Sequence, residues 1–112
     1  MFKNLTKKTI VSKSETYSQS YFDSLLGMIL SRNKNGFFFK TNFGIHTFFM
    51  KEDVDVIVLD NNLRVMDLKK DIKPNRIFLW NVKYENVLEL PAGSIKLSRT
   101  EVGDRLASDV IK

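Results

Sequence analysis

Cysteine is absent from the 112 residues of this chain, histidine and tryptophan occur once each, and proline occurs twice. Without thiols there are no disulfides, thiolate zinc sites, iron–sulfur ligands or cysteine nucleophiles, and the composition suits a reducing compartment. The single histidine, His46, excludes a multi-histidine metal site. No metal or cofactor is expected. The loops Gly-x-x-x-x-Gly-Lys and Gly-x-Gly-x-x-Gly, which cradle phosphates, are missing, as is the Gly-x-Ser-x-Gly nucleophile elbow. Apolar runs are short: Phe37 to Phe39 and Val56 to Leu59 fall far below the ~20 residues of a membrane helix. The first twenty residues also lack the apolar stretch of roughly 7 to 15 that marks a secretory signal. These absences predict a cytoplasmic protein with no membrane span.

What is present suits one domain covering residues 1–112. The chain is 43% hydrophobic, and a chain of this size buries enough surface to fold without staples. Its net charge of +5 is unevenly spread. Lys3, Lys7, Lys8, Lys13, Arg32, Lys34 and Lys40 face only Glu15 and Asp23 in residues 1–40, whereas residues 41–112 carry eleven charges of each sign. Lysines on a solvated edge strand discourage aggregation. They could also steer a polyanion, but no aromatics lie among Lys3 to Lys13, which argues against nucleic acid as the partner.

The segment Leu5 to Ser12 is rich in β-branched residues and predicts a strand. Tyr21, Phe22, Leu25, Leu26, Met28, Ile29 and Leu30 recur at helical spacing behind Ser18 and Ser20, predicting one N-terminal helix over 18–30. From Gly36 onward the period shortens. Strands are expected at Phe37–Lys40, His46–Met50, Asp55–Leu59, Arg64–Leu68, Arg76–Trp80 and Val87–Leu90, with a short one around Val102–Leu106. Asp60-Asn61-Asn62 predicts a hairpin turn, Asp71–Asn75 and Pro91-Ala92-Gly93 further breaks, and Ser94–Glu101 a polar loop.

His46-Thr47-Phe48-Phe49-Met50 followed by Asp55-Val56-Ile57-Val58-Leu59-Asp60 resembles the core signature of the family catalogued as domain of unknown function 192. Lys73-Pro74-Asn75-Arg76-Ile77, Val87-Leu88-Glu89-Leu90-Pro91-Ala92-Gly93 and Val102-Gly103-Asp104-Arg105-Leu106 continue it in order. Leu26-Gly27-Met28 is similar to its early Gly-Leu-Met element, and the likeness covers residues 21–106. Glu52-Asp53-Val54 departs from the proline and apolar residue that usually precede the aspartate. The resemblance implies a mainly β fold, an antiparallel barrel-like sandwich with one short helix, and it implies no established activity.

The chemistry-bearing residues are polar groups inside apolar strands: His46, Asp55 and Glu89, with Arg76 at a strand start. Ile57 and Leu59 share the face of Asp55, while Val54, Val56 and Val58 share the other, so both faces read as buried. A buried carboxylate needs a partner. Arg76 is the first choice, through a bidentate ion pair, with Arg64, His46 and backbone N–H groups as alternatives. Glu89 shares a face with Val87 and reads equally as buried or solvent-facing. Six phenylalanines between positions 37 and 49 read as core, with one or two rings available to a groove or partner surface. The expected function is a noncatalytic module binding a small molecule or a protein, with a shallow groove near His46, Asp55, Arg76 and Glu89. The alternative is a small hydrolase or isomerase using Asp55 or Glu89 as general base.

Overall fold

Six consecutive buried residues, Val54 to Leu59, form strand β6, and burial on both faces marks it as a central strand. The structure, a computed structural model, describes residues 1–17, 36–42, 44–48 and 50–111. The helix expected over 18–30 lies outside them.

The strands are β1 (Phe2–Asn4), β2 (Thr9–Ser12), β3 (Glu15–Tyr17), β4 (Gly36–Lys40), β5 (Gly44–His46), β6, β7 (Val65–Ile72), β8 (Ile77–Leu79), β9 (Asn86–Pro91) and β10 (Leu106–Ser108). One short helix, α1 (Ser94–Ser98), appears among the described residues. The fold is therefore mainly β. Strands β3-β4-β9-β6-β7 form a five-stranded sheet, β10-β1-β2 a three-stranded sheet and β5-β8 a two-stranded one. All three sheets are open among the described residues. Pairing is antiparallel except between β3 and β4. No helix among the described residues is long and apolar enough to cross a membrane.

The register divides the five-stranded sheet into two faces. On one face Phe38, Leu88, Ile57 and Leu68 are successive cross-strand partners. They pack with Phe2, Val11 and Leu106 of the three-stranded sheet and Ile95 of α1. On the other, Phe37, Glu89, Val56 and Lys69 are successive partners. That face carries a second cluster containing Phe39, Val54, Val58 and Val87, together with Ile45 and Trp80 from the β5–β8 layer.

Several expected boundaries move for identifiable reasons. The β6–β7 hairpin forms where Asp60 predicts it, because Asp60 Oδ1 accepts the N–H groups of Asn62 and Arg64 at 2.8 and 2.9 Å. The expected strand His46–Met50 is replaced by Gly44–His46, since the chain turns at Thr47, whose carbonyl accepts the N–H groups of Met50 and Asn75. Residues 5–8 form a turn rather than strand; Lys8 has φ 58°, and Asn4 Oδ1 accepts the Lys7 N–H. Strand β7 runs on through Asp71 and Ile72, where a break was expected. The last strand begins at Leu106 instead of Val102, after a turn at Gly103. Ser94–Glu101 contains α1, which at five residues is too short to show a period.

Candidate functional site

Asp55 is fully buried, and its face is that of Ile57 and Leu59, the side covered by α1 and the three-stranded sheet. Opposite it, β7 carries an extra residue: Val54 pairs with Ile72, but Val56 pairs with Lys69. This is a β-bulge, and Asp71 adopts φ 53° within it. Asp55 Oδ1 accepts the Asp71 N–H at 2.9 Å, and Oδ2 accepts the Ile95 N–H at 2.9 Å. One carboxylate thus satisfies two backbone donors that no ladder reaches, and it ties the bulge to the first turn of α1. The expected ion pair with Arg76 does not form. The partners come from the backbone, because the bulge and the turn after Gly93 bring two N–H groups to Asp55, while Arg76 is exposed and its Nη1 donates to the Asn75 carbonyl at 3.3 Å.

Glu89 presents the opposite situation. It is only 3% exposed and lies between Phe37 of β4 and Val56 of β6 on the face bearing the second cluster. No ion pair or hydrogen bond reaches its carboxyl among the described residues. Burial alone pushes its pKa from 4.5 up to about 8. A group with that value holds its proton at neutral pH and is both a hydrogen-bond donor and an acceptor. Asp55 and Glu89 therefore sit on opposite faces of one sheet and share no site.

His46 and Arg76 belong to neither carboxylate. Ile45 turns into the second cluster, so His46 projects from the other side of β5, where its Nδ1 accepts the Phe48 N–H at 3.3 Å and its ring stacks on Phe48 at 4.8 Å. What joins their strands is Thr47, 1% exposed. Its Oγ1 donates to the Lys73 carbonyl at 2.7 Å and accepts the Arg76 N–H at 2.8 Å. Trp80 supports the same layer, its indole N–H donating to the Tyr84 carbonyl at 2.7 Å. Thr47 went unmarked in the sequence because a threonine inside an aromatic run reads as an ordinary strand residue.

Two further polar groupings were also unmarked. Asn4 donates to Thr100 Oγ1 and to Asp104 Oδ2 at 3.1 and 2.9 Å, and Lys7 Nζ reaches both oxygens of Asp104. Burial would raise the Asp104 pKa, but the bonds from Asn4 and Lys7 and the Glu101 N–H outweigh it and hold it below the ordinary value. This network clasps the β1–β2 turn to the segment before β10. Glu15, its side chain fully buried, accepts the Tyr17 hydroxyl at 2.8 Å and pairs with the Met1 amino group at 2.9 Å. A groove of about 230 Å³ lies between Ser12–Ser14 and the turn bearing Leu90, Pro91 and Ser94. None of His46, Asp55, Arg76 or Glu89 lines it.

Comparison with known proteins agrees with the resemblance read from the motifs. The model of domain of unknown function 192, described as "Uncharacterized ACR", matches residues 25–108. A UPF0127 protein of Pyrococcus horikoshii is 32% identical over 80% of this chain and 82% of its own length. A UPF0127 protein of Pyrococcus furiosus is 29% identical over 92% and 93%. Among solved structures, a candidate transcription regulator from Sinorhizobium meliloti superposes with a TM-score of 0.73 at 18% identity, covering 83% of this chain and 79% of that one. A protein of unknown function from Novosphingobium aromaticivorans gives 0.72 at 14% identity, with 84% and 74% covered. At such identities the likeness is one of fold.

Proposed function

Starting from the premise that this chain belongs to the domain of unknown function 192 family, we propose that it is a noncatalytic small-ligand binding module in which Glu89 is the recognition group. The observation that carries this reading is a carboxyl without a partner among the described residues, set between Phe37 and Val56 in an apolar layer. Such a group destabilises the fold, and a carboxyl placed in an apolar layer calls for a role. A ligand with an apolar body and one polar group would satisfy it. Packing on both faces of the five-stranded sheet supports a barrel-like sandwich as the architecture, and the lack of cysteine supports a cytoplasmic setting.

The enzymatic alternative has less support. A general base must be ionised and within reach of its proton; both oxygens of Asp55 already accept backbone N–H groups, and Glu89 is protonated at neutral pH. His46 ends β5 and Arg76 precedes β8, the two strands that bring Ile45 and Trp80 to the cluster on the Glu89 face.

A fragment screen followed by NMR tests the proposal. Hits should perturb the Trp80 indole and the Phe37 ring, and Glu89→Leu should abolish their binding while the spectrum stays folded. Hits that ignore this layer, or that bind Glu89→Leu as well as the parent, would overturn it.

A further inference from the structure

A carboxyl that binds a ligand inside an apolar layer constrains the charge of that ligand. Glu89 stands between Phe37 and Val56 on the sheet face that bears the cluster of Phe39, Val87, Ile45 and Trp80. Among the described residues the ionisable groups on the same face are Asp67 and Lys69 of β7, cross-strand partners of Val58 and Val56, and the Tyr84 phenol packs against the cluster. None of them makes an ion pair or hydrogen bond with Glu89. Admitting a cation would require Glu89 to give up its proton and two charges to be buried together, where desolvation opposes the pairing. Admitting an anion beside the neutral carboxyl would bury one charge with no opposite charge to offset its desolvation.

A neutral carboxyl, by contrast, offers a hydroxyl donor and a carbonyl acceptor side by side. A primary amide or a lactam offers the complementary edge, one N–H and one carbonyl. Resting on the reading of Glu89 as the recognition group, we infer that the ligand is uncharged and flat, an aromatic or cyclic body ending in an amide or lactam edge that makes two parallel hydrogen bonds with the Glu89 carboxyl. The two-stranded β5–β8 layer contributes Ile45 and Trp80 to the cluster on the same face. That sheet is small, three residues per strand, and Thr47 joins its two strands and ties them to the Lys73 carbonyl.

Four probes on one ring separate the possibilities: benzamide, N,N-dimethylbenzamide, benzamidinium and benzoate, titrated by NMR against the full chain. Benzamide should bind best, and dimethylation, which removes the N–H, should weaken it about tenfold. Glu89→Gln presents the same donor–acceptor edge and should retain benzamide, whereas Glu89→Leu should lose it. Because the neutral carboxyl is the binding form, benzamide affinity in the parent should fall as pH rises through about 8 and stay level in Glu89→Gln. Benzamidinium binding at Glu89 more tightly than benzamide, or benzamide affinity rising with pH in the parent, would overturn the amide inference and leave Glu89 as the recognition group. Failure of all four probes to perturb the Trp80 and Phe37 signals would overturn both.

Discussion

Asp55 and Glu89 are buried on opposite faces of the five-stranded sheet, which treat them in opposite ways. On the face toward α1, Asp55 accepts two N–H groups that the backbone cannot otherwise satisfy. On the face bearing the second cluster, Glu89 lies between Phe37 and Val56 with no hydrogen-bond partner among the described residues, and its pKa rises to about 8. Burial is the same; the difference is donors. The first carboxylate is part of what makes the fold, and the second is tolerated by it, which is why the second is the better place to look for function.

Removing the Asp55 carboxylate should give the largest effect of any change on either face. Asp55→Ala strands the Asp71 and Ile95 N–H groups, and urea denaturation should show a loss of about 2 to 5 kcal/mol. Loss below about 1 kcal/mol would break the comparison by showing that water replaces the carboxylate.

Glu89 should show the reverse sign and a pH signature. Between about 4.5 and about 8 the unfolded chain releases a proton that the folded chain keeps, so parent stability should fall as pH rises across that window and level off above it. At pH 7 the penalty is on the order of 3 kcal/mol. Glu89→Gln should flatten this slope and match the parent near pH 4, while exceeding it at pH 8. A parent whose stability is level from pH 5 to 8 would place Glu89 among ordinary carboxylates.

Thr47 tests the β5–β8 layer. Thr47→Val keeps the shape but loses the bonds to Lys73 and Arg76, and should cost about 1 to 2 kcal/mol. Amide exchange should quicken in β5 and β8 and remain slow in β6. Uniform quickening would mean that the layers open together.

The smallest effect expected is a coupling near zero. Asp55→Asn and Arg76→Met should add within about 0.5 kcal/mol in a double-mutant cycle, since the two side chains do not meet. Coupling beyond that would restore an ion pair.

Much of the central sheet was legible because its signals are local. Val54 to Leu59 carries apolar residues on both parities, Asp60 announces its turn, and Val87 to Leu90 alternates around a carboxylate. Strand β1, only three residues, carries no readable period, although it supplies Phe2, which stacks on Phe38 at 5.6 Å. Its partners are the distant Ser108, Ala107 and Leu106, and no local pattern reports a pairing across the whole chain. The candidate residues were recognised by the same logic that recognised the strands, as polar side chains in apolar surroundings. Grouping all four in one groove failed because proximity along neighbouring strands does not state which face each side chain takes.

The sequence alone determined that Asp55 is inside, since residues at both parities around it are apolar and a strand has only two faces. It also determined the strand-rich fold class, the hairpin at Asp60 and the family, all properties of short windows or ordered motifs. Tertiary structure alone decided what each buried carboxylate meets. Asp55 is satisfied because a bulge in β7 and a turn forty residues downstream deliver one N–H each; Glu89 is not among the described residues, because its cross-strand neighbours there, Phe37 and Val56, are apolar. Hydrogen bonds act over about 3 Å, and which donors arrive within that distance depends on how separate segments pack.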